Sequence, residues 1–170
     1  MLSVSCVRRR GVAFIAALAL LCAQAIGLAH AVAHPQAALA EAEERVRAVL
    51  HETDPRRVDR RAVPFVTVDP ATAEDHDDAL FAQALADGGT RAFVAIADVS
   101  AFVPAGGALD LEARRRGTSI YLPGRVVPML PPILSNHAAS LVPGGDRPAM
   151  VLELDLDAEA RVRSHRVELA

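Results

Sequence analysis

The stretch VTVDPATAEDHDDALFA, from Val66 to Ala82, places five carboxylates between two apolar runs. The acidic residues are Asp69, Glu74, Asp75, Asp77 and Asp78. Carboxylates held within about 5 Å of one another raise each other's pKa and destabilise a fold, unless water or a cation surrounds them. This stretch therefore has to form a loop that joins two buried segments and exposes its acids either to solvent or to a bound cation.

The positions of the aspartates favour a shared site. Asp69 ends one apolar run, and Asp75, Asp77 and Asp78 come directly before the next. If the two runs are neighbouring strands, the loop returns the later aspartates to the side of the first. Asp78 points away from Asp75 and Asp77 in an extended chain, so convergence needs a bend. Hard oxygen ligands without cysteine, and with His76 facing away, select Mg²⁺ over Zn²⁺, with Mn²⁺ as the alternative ion.

Other interpretations of the acidic stretch fit it less well or stay open. A calcium loop counted from Asp75 fails, because Ala79 holds the fifth position and no glycine follows at the sixth. A pair of glycosidase carboxylates rarely comes as four acids in so short a stretch. The interpretation as a solvated acidic loop without a bound ion is not excluded by the spacing. Several aspartates around two metal ions are a standard device for hydrolysing phosphodiesters, so metal-assisted phosphoryl transfer is the favoured reaction class.

The charge of the chain argues against non-specific nucleic-acid binding. All 18 basic residues are arginine, and all 21 acidic residues follow residue 33, so the body of the chain is acidic. Affinity for phosphate comes mostly from basic residues that displace counterions. A nucleic-acid role would therefore need local arginine clusters or a bound metal ion.

The first 33 residues have an arginine-rich start, then an apolar stretch, then small residues. This layout is typical of a secretory signal, and the apolar residues 11–31 are also long enough for one membrane-spanning helix. A third interpretation is an extended start, upstream of the true first residue. Both cysteines, Cys6 and Cys22, lie here, so the body offers no disulfide framework and no cysteine zinc site.

The remaining pattern predicts an α+β domain, with a mixed sheet and flanking helices. We expect three regions: the signal-like segment 1–33, a helix and charged linker over 34–62, and a domain over 63–170. The expected elements are helices over 36–51 and 106–117, strands over 65–68 and 118–122, a hairpin of strands 79–86 and 92–99 that turns at Asp87–Gly89, one helical turn within the proline-rich segment 126–148, and a terminal hairpin of alternating residues over 150–169.

Two details of the first helix and its linker follow from spacing. The apolar face predicted for helix 36–51 comprises Leu39, Ala42, Val46, Val49 and Leu50. Glu41 and Arg45 are predicted to form an outward i,i+4 ion pair. The arginine-rich linker 56–64 has no periodicity, so we expect it to be a solvated surface without a site.

Three blocks of the sequence together resemble a known family. They are VTVDPATAEDHDDALFA, VAIADVSAFVPAGGALDLEARRRGTSIYLPGRVVPMLPPILSN and SLVPGGDRPAM. In order and spacing they are similar to the opening part of the catalytic domain, called RNB, of ribonucleases II and R. The resemblance runs from about Val63 to the last residue. It implies a magnesium-dependent exoribonuclease that degrades single-stranded RNA from the 3′ end to nucleoside 5′-monophosphates.

The resemblance also implies roles for individual residues. Asp69 and Asp78 fall on ligands of the magnesium ion, and Asp75 on a residue that supports the metal site. Asp77 falls on the carboxylate that catalysis needs most. Metal binding is therefore expected at all four aspartates, and catalytic roles are expected at Asp77 and Asp75.

The resemblance assigns RNA contacts as well. Tyr121 falls on an aromatic that packs against the base at the RNA 3′ end; the alternative is a tyrosine of the core. Arg125 is a candidate phosphate contact. Arg114–Arg116 are more typical of a solvated helix end, and Asn136 and His137 of a structural loop. His76 stands where the family often has Phe or Met.

The chain departs from the family in length. It matches about a third of such a domain and lacks the modules on either side. We therefore expect an incomplete or split copy, active with a second chain that supplies the rest of the domain. The alternative is a catalytically inactive RNA- or protein-binding remnant, tethered to a membrane through residues 11–31. By the resemblance we expect a cytoplasmic protein; the alternative is export or membrane anchoring.

Overall fold

The computed structural model describes residues 33–51 and 54–170. The chain divides into two units, Met1–His34 and Pro35–Ala170, and the elements below belong to the second. The signal or membrane anchor expected over residues 11–31 lies outside the described residues. Within the described ranges, no helix has the length and apolar character needed to cross a bilayer.

The first helix, α1, spans Gln36–His51 as predicted. Ala38 and Ala42 are buried, and Val46 packs against the same core. Leu50, expected on the inner face, is instead 41% exposed. Each i,i+4 step turns a side chain by about 40° around a helix, so Leu50, three steps after Ala38, has left the buried side.

The outward ion pair expected on α1 is replaced by contacts with other elements. A carboxylate oxygen of Glu41 accepts a hydrogen bond from the backbone N–H of Leu109 at 2.8 Å. Arg45 donates to the carbonyl oxygen of Ala101 at 2.6 Å. These two side chains therefore tie α1 to the rest of the unit.

The described residues contain six strands, which form a four-stranded sheet and a separate two-stranded sheet. They are β1 Asp78–Ala84, β2 Thr90–Ala97, β3 Ile120–Leu122, β4 Arg125–Val127, β5 Ala149–Leu156 and β6 Val162–Leu169. The larger sheet has the order β1-β2-β5-β6, and both predicted hairpins are confirmed. The α+β class is confirmed, with antiparallel pairings in place of the expected mixed sheet. Short turns join β1 to β2 and β5 to β6, and only antiparallel strands can be joined so closely.

The two faces of the larger sheet differ in burial. One face packs on a core that includes Phe93, Ala95 and Val151. The other face, which we call the open face, presents apolar side chains to solvent. Its exposed members include Leu80, Ile96, Met150 and Val167, with exposed fractions of 44%, 50%, 45% and 57%.

Two of the predicted strands differ from expectation. Segment 65–68 forms a single bridge, between Val66 and Leu80, and no longer strand. Segment 118–122 contributes β3, which pairs with β4 instead of joining the larger sheet. The tight turn between β3 and β4 uses Gly124 at a φ of 72°, a conformation that favours glycine and folds the chain straight back.

The second helix, α2, spans Ala108–Arg116 and ends at Gly117, whose φ of 76° caps the last turn. Its Leu109 is buried in a core with Phe102 and Leu134. The helical turn expected in the proline-rich segment is a π-helix over Leu134–Ala138. This core contains residues of both helices, of the π-helix and of the end of β2. The end of β2 is paired with the start of β1, where the acidic stretch lies.

The arginine-rich linker is not the solvated surface that we expected. Arg57 forms an ion pair with the buried Asp98 at 2.6 Å. Arg60 pairs with Glu168 and lies over the ring of Phe93, 5.6 Å from its centre. The linker is thus bound to the sheet by its own charges.

Candidate metal centre

The bridge at Val66 directs Asp69 toward the start of β1. Val66 and Leu80 exchange two backbone hydrogen bonds, of 3.0 and 2.9 Å. Because the pairing is antiparallel, residues after Val66 run alongside residues before Leu80. Asp69 is therefore carried back toward Asp77 and Asp78, as the sequence predicts. We call residues 69–78 the acidic loop.

The acidic loop is anchored to the unit by its backbone. The N–H of His76 donates to the hydroxyl of Ser140 at 3.0 Å, and its carbonyl accepts from the N–H of Leu141 at 2.7 Å. The carbonyl of Asp77 accepts from the N–H of Ala97 at 2.8 Å. Since Ser140 is fully buried, these bonds hold the loop against the core.

Two of the four aspartates accept hydrogen bonds from side chains. Oδ2 of Asp69 lies 2.9 Å from Nδ1 of His76. Oδ2 of Asp75 accepts from the hydroxyl of Tyr121 at 2.6 Å. Asp69 and Asp75 are half-buried, whereas Asp77 and Asp78 are exposed.

Tyr121 lies on the surface and not in the core. Its side chain is on β3 and the residue is 65% exposed, which excludes the interpretation as a core tyrosine. The hydrogen bond to Asp75, burial, and the negative charges of Asp75 and Asp77 raise the pKa of its hydroxyl. Arg125 is exposed on β4 of the same hairpin. The hairpin therefore presents both predicted RNA contacts at the surface, with Tyr121 at the acidic loop.

The donor atoms of the acidic loop suit a hard divalent cation such as Mg²⁺, which prefers carboxylate oxygens and water. In the described part of the chain, however, no three His, Cys, Asp or Glu side chains converge closely enough to hold one ion. Binding by all four aspartates would require side chains to rotate toward a common point. The ligand set Asp69, Asp75, Asp77 and Asp78 therefore stays a prediction.

The arginine run at the end of α2 pairs with acids of the same helix. Arg114 and Arg115 are exposed, as expected, whereas the side chain of Arg116 is buried and also donates to the carbonyl of Pro128, so the expectation of a solvated helix end is wrong for Arg116. Arg114 pairs with Asp110 at 3.0 Å, and Arg115 and Arg116 pair with Glu112 at 2.8 and 2.6 Å. The hydrogen bond from Arg115, which outweighs the effect of burial, lowers the pKa of Glu112 to about 2. These side chains balance the acids of α2.

Asn136 and His137, in the π-helix, make structural contacts, as expected. Asn136 donates to Glu74 at 2.7 Å and so braces the acidic loop from the side. The carbonyl of His137 accepts from Arg147 at 2.9 Å.

Sequence reasoning missed two residues that organise the loop, Ser140 and His76. Ser140 lies in the proline-rich segment, and no pattern in its neighbourhood marks it as a partner of residues 64 positions away. His76 was expected to face away from Asp75 and Asp77. In the structure the ring of His76 contacts Asp69, a partner that the sequence pattern did not indicate.

Comparison with known proteins identifies the family. The model of the RNB domain matches residues 57–170, more than half of the chain. The chain belongs to the RNB family. The chain is also 43% identical over 132 residues to Ribonuclease R of Escherichia coli, a match that covers 78% of this chain and 16% of that protein.

Two further RNB relatives bear on structure and activity. The Ribonuclease R of Mycoplasma genitalium, solved in complex with double-stranded RNA, superposes with a TM-score of 0.70 at 36% identity, over 76% of this chain and 24% of that one. An Arabidopsis thaliana protein named "Inactive exonuclease DIS3L2" is 51% identical over 107 residues, covering 63% of this chain and 10% of that protein. The chain thus spans only a small part of the relatives it matches, and they include a protein described as inactive.

Proposed function

We propose that this chain is the metal-binding part of a 3′-to-5′ exoribonuclease that releases nucleoside 5′-monophosphates from single-stranded RNA. The observation that supports this proposal most is the hydrogen bond between Tyr121 and Asp75, which are 46 positions apart. It joins the residue proposed to stack on the terminal base to a residue proposed to support the metal site. A terminal phosphodiester held by Tyr121 would therefore lie beside the acidic loop.

The proposed roles of the four aspartates are those that the resemblance to the RNB family implies. When bound, Mg²⁺ would supply a Lewis acid that activates water and stabilises the leaving oxygen. Asp69 and Asp78 would hold the ion, Asp75 would support the site, and Asp77 is the carboxylate that the reaction needs most. The ring of Tyr121 would stack on the 3′ base, a contact that contributes about 1–3 kcal/mol and tolerates any base.

Arg125 is the proposed phosphate contact on the same hairpin as Tyr121. Its guanidinium group is exposed and could form a two-pronged hydrogen bond with a phosphate. Such a contact supplies position along the RNA and not sequence preference. An acidic chain needs local positive charge of this kind to hold RNA.

The open face supports a second chain as the partner. Asp78 is paired in register with Ile96 and lies two residues before Leu80, so it shares the open face with both. A polypeptide covering the apolar residues of this face would therefore adjoin Asp78. We propose that this partner supplies the remainder of the RNB domain and, with it, the rest of the RNA channel.

The test uses the full chain and an RNA labelled at its 3′ end. With Mg²⁺ and a polypeptide carrying the rest of an RNB domain, we expect labelled mononucleotide as the first product. Asp77→Asn should abolish it, whereas Asp146→Asn, which changes an exposed aspartate outside the acidic loop, should not. Release of longer oligonucleotides, or equal activity in both variants, would contradict the proposal.

A second candidate function is an inactive RNA- or protein-binding remnant. The absence of a converged set of ligands in the described residues, and the relative named as inactive, favour it. This function predicts RNA binding that is indifferent to Mg²⁺ and to Asp77→Asn. A gel-shift titration of RNA with the wild type and with Asp77→Asn, each with and without Mg²⁺, distinguishes the two candidate functions.

The cytoplasm is the proposed location, since the substrate of this reaction is cellular RNA. The alternative is export or membrane anchoring through residues 11–31. Fractionation of cells that express the full chain, with N-terminal sequencing of the recovered protein, distinguishes these outcomes. A new N-terminus after Ala31 or Ala33 would contradict a cytoplasmic location.

A further inference from the structure

His76 sits inside the acidic loop and faces the aspartate at the other end of that loop. Its Nδ1 lies 2.9 Å from Oδ2 of Asp69, seven positions earlier in the chain. Both side chains are largely shielded from solvent, with exposed fractions of 23% and 18%. Of the contacts described for Asp69, this is the one that fixes its carboxylate.

The backbone around His76 determines where its ring can go. Its N–H is bound to the buried Ser140, and its carbonyl is bound to the N–H of Leu141. Neither bond depends on the identity of the side chain. A substitution of the imidazole can therefore remove the contact with Asp69 and leave the path of the loop unchanged.

The chemistry of the Asp69–His76 pair determines which ring nitrogen of His76 carries a hydrogen. A carboxylate can only accept hydrogen bonds, so Nδ1 of His76 has to carry the hydrogen. Because Oδ2 of Asp69 accepts this bond, Oδ1 keeps both of its lone pairs for an ion. The resemblance to the family predicts an apolar residue at this position, so the donor is a feature of this chain.

We propose that His76 is a positioning residue that orients Asp69 for metal binding. It holds Oδ2 through Nδ1–H and thereby restricts the rotation of the carboxylate before the ion arrives. The inference rests on the proposed role of Asp69 as a ligand. Residues that hydrogen-bond to metal ligands in this way typically change metal affinity about 10- to 100-fold when replaced.

Four variants of the full chain test the proposal by calorimetric titration with Mg²⁺ or Mn²⁺. His76→Phe keeps a ring but removes the donor, and His76→Asn places an amide N–H near the position of Nδ1. Asp69→Asn removes the proposed ligand itself. His165→Phe, which changes an exposed histidine on β6, is the matched control.

The proposal predicts that His76→Phe weakens metal binding about 10-fold or more, with Asn closer to the wild type and His165→Phe unchanged. Thermal unfolding without metal should be similar for all four. Equal affinity of His76→Phe and wild type, or equal losses for Phe and Asn, would overturn it. If the wild type binds no metal, or Asp69→Asn has no effect, the proposed ligand role fails as well.

A second measurement needs no variant. Long-range ¹⁵N–¹H correlation spectra of the metal-free wild type distinguish the two neutral forms of a histidine ring. We expect the hydrogen of His76 on Nδ1. Finding it on Nε2 alone would overturn the proposal even if a variant fails to fold.

Discussion

The carboxylates of the acidic loop and those elsewhere in the second unit have different hydrogen-bond and ion-pair partners. Away from the loop, most buried or half-buried carboxylates are paired with arginine; Glu41, which accepts a hydrogen bond from the backbone N–H of Leu109, is an exception. The arginine-paired carboxylates include Asp98, Glu112, Glu153, Asp155 and Glu168. In the part of the chain that the structure describes, no arginine forms an ion pair with an aspartate of the acidic loop; the side-chain donors there are Tyr121 and His76.

The difference indicates what each group of carboxylates is for. An arginine both orients a carboxylate and cancels its charge, which suits a structural role. A tyrosine hydroxyl orients a carboxylate and leaves its charge in place. The acidic loop is therefore anchored by its backbone, and in the described residues no arginine cancels the charge of its aspartates, which remains available to a cation.

Removal of Arg57 should have the largest effect on stability. Asp98 is 6% exposed and lies 2.6 Å from Arg57. Burial raises the pKa of Asp98, but the hydrogen bonds from Ser100 and Arg57 together outweigh it and lower the pKa. Arg57→Ala should lower the free energy of unfolding by about 3 kcal/mol, since it leaves a buried carboxylate unpaired. Urea denaturation measures the change, and a loss below that of exposed Arg56→Ala would break the comparison.

Acid should destabilise the fold through the arginine-paired carboxylates. Hydrogen bonds, that from Arg115 first, lower the pKa of Glu112 from 4.5 to about 2. The folded state therefore binds this proton less readily than the unfolded state, so the stabilisation is present above pH 4.5 and is lost as the pH falls toward 2. Glu112→Gln should flatten this part of the curve of stability against pH. An unchanged curve would contradict the assignment.

Neutralising one carboxylate in each region should change the stability of the metal-free protein differently. Glu153 accepts hydrogen bonds from Arg60 and Arg166. Glu153→Gln should therefore lower the free energy of unfolding by about 1–2 kcal/mol. Asp77→Asn removes repulsion within the acidic loop and should leave stability equal or slightly higher. Thermal unfolding in the presence of a chelator compares them, and a larger loss for Asp77→Asn would reverse our interpretation.

The smallest effect is expected for Tyr121→Phe. The variant loses the hydrogen bond to Asp75 but keeps an exposed ring, so stability should change by about 1 kcal/mol or less. Binding of a short single-stranded RNA should stay close to that of the wild type, whereas Tyr121→Ala should lose about 1–3 kcal/mol of binding free energy. Fluorescence anisotropy measures both. Equal binding by all three proteins would exclude a stacking role.

Local patterns in the sequence were enough to predict the helices and both hairpins of the larger sheet. Helical spacing defines α1, and the glycine turn at Asp87–Gly89 together with strict alternation after Met150 defines the hairpins. The placement of β3 was not predictable in the same way. The residues of β3 are compatible with pairing in either sheet. The tight turn at Gly124 places β4 directly beside β3, so the two strands pair with each other.

The candidate site was predictable in its residues but not in its contacts. The spacing of acids around His76 marks the acidic loop, and the resemblance adds Tyr121. The partner Asn136 lies in the π-helix and the partner Ser140 just after it, both more than 60 positions from the loop residues that they contact. Such contacts depend on how the core between α1, α2 and the π-helix closes, which no local pattern encodes.

The central claim is that the four aspartates of the acidic loop bind divalent ions. Calorimetric titration of the full chain with Mg²⁺ and with Mn²⁺ tests it most directly, beside a variant in which Asp69, Asp75, Asp77 and Asp78 are all replaced by Asn. We expect heat of binding from the wild type that is absent from the variant. No heat from the wild type, or the same heat from both proteins, would contradict the claim.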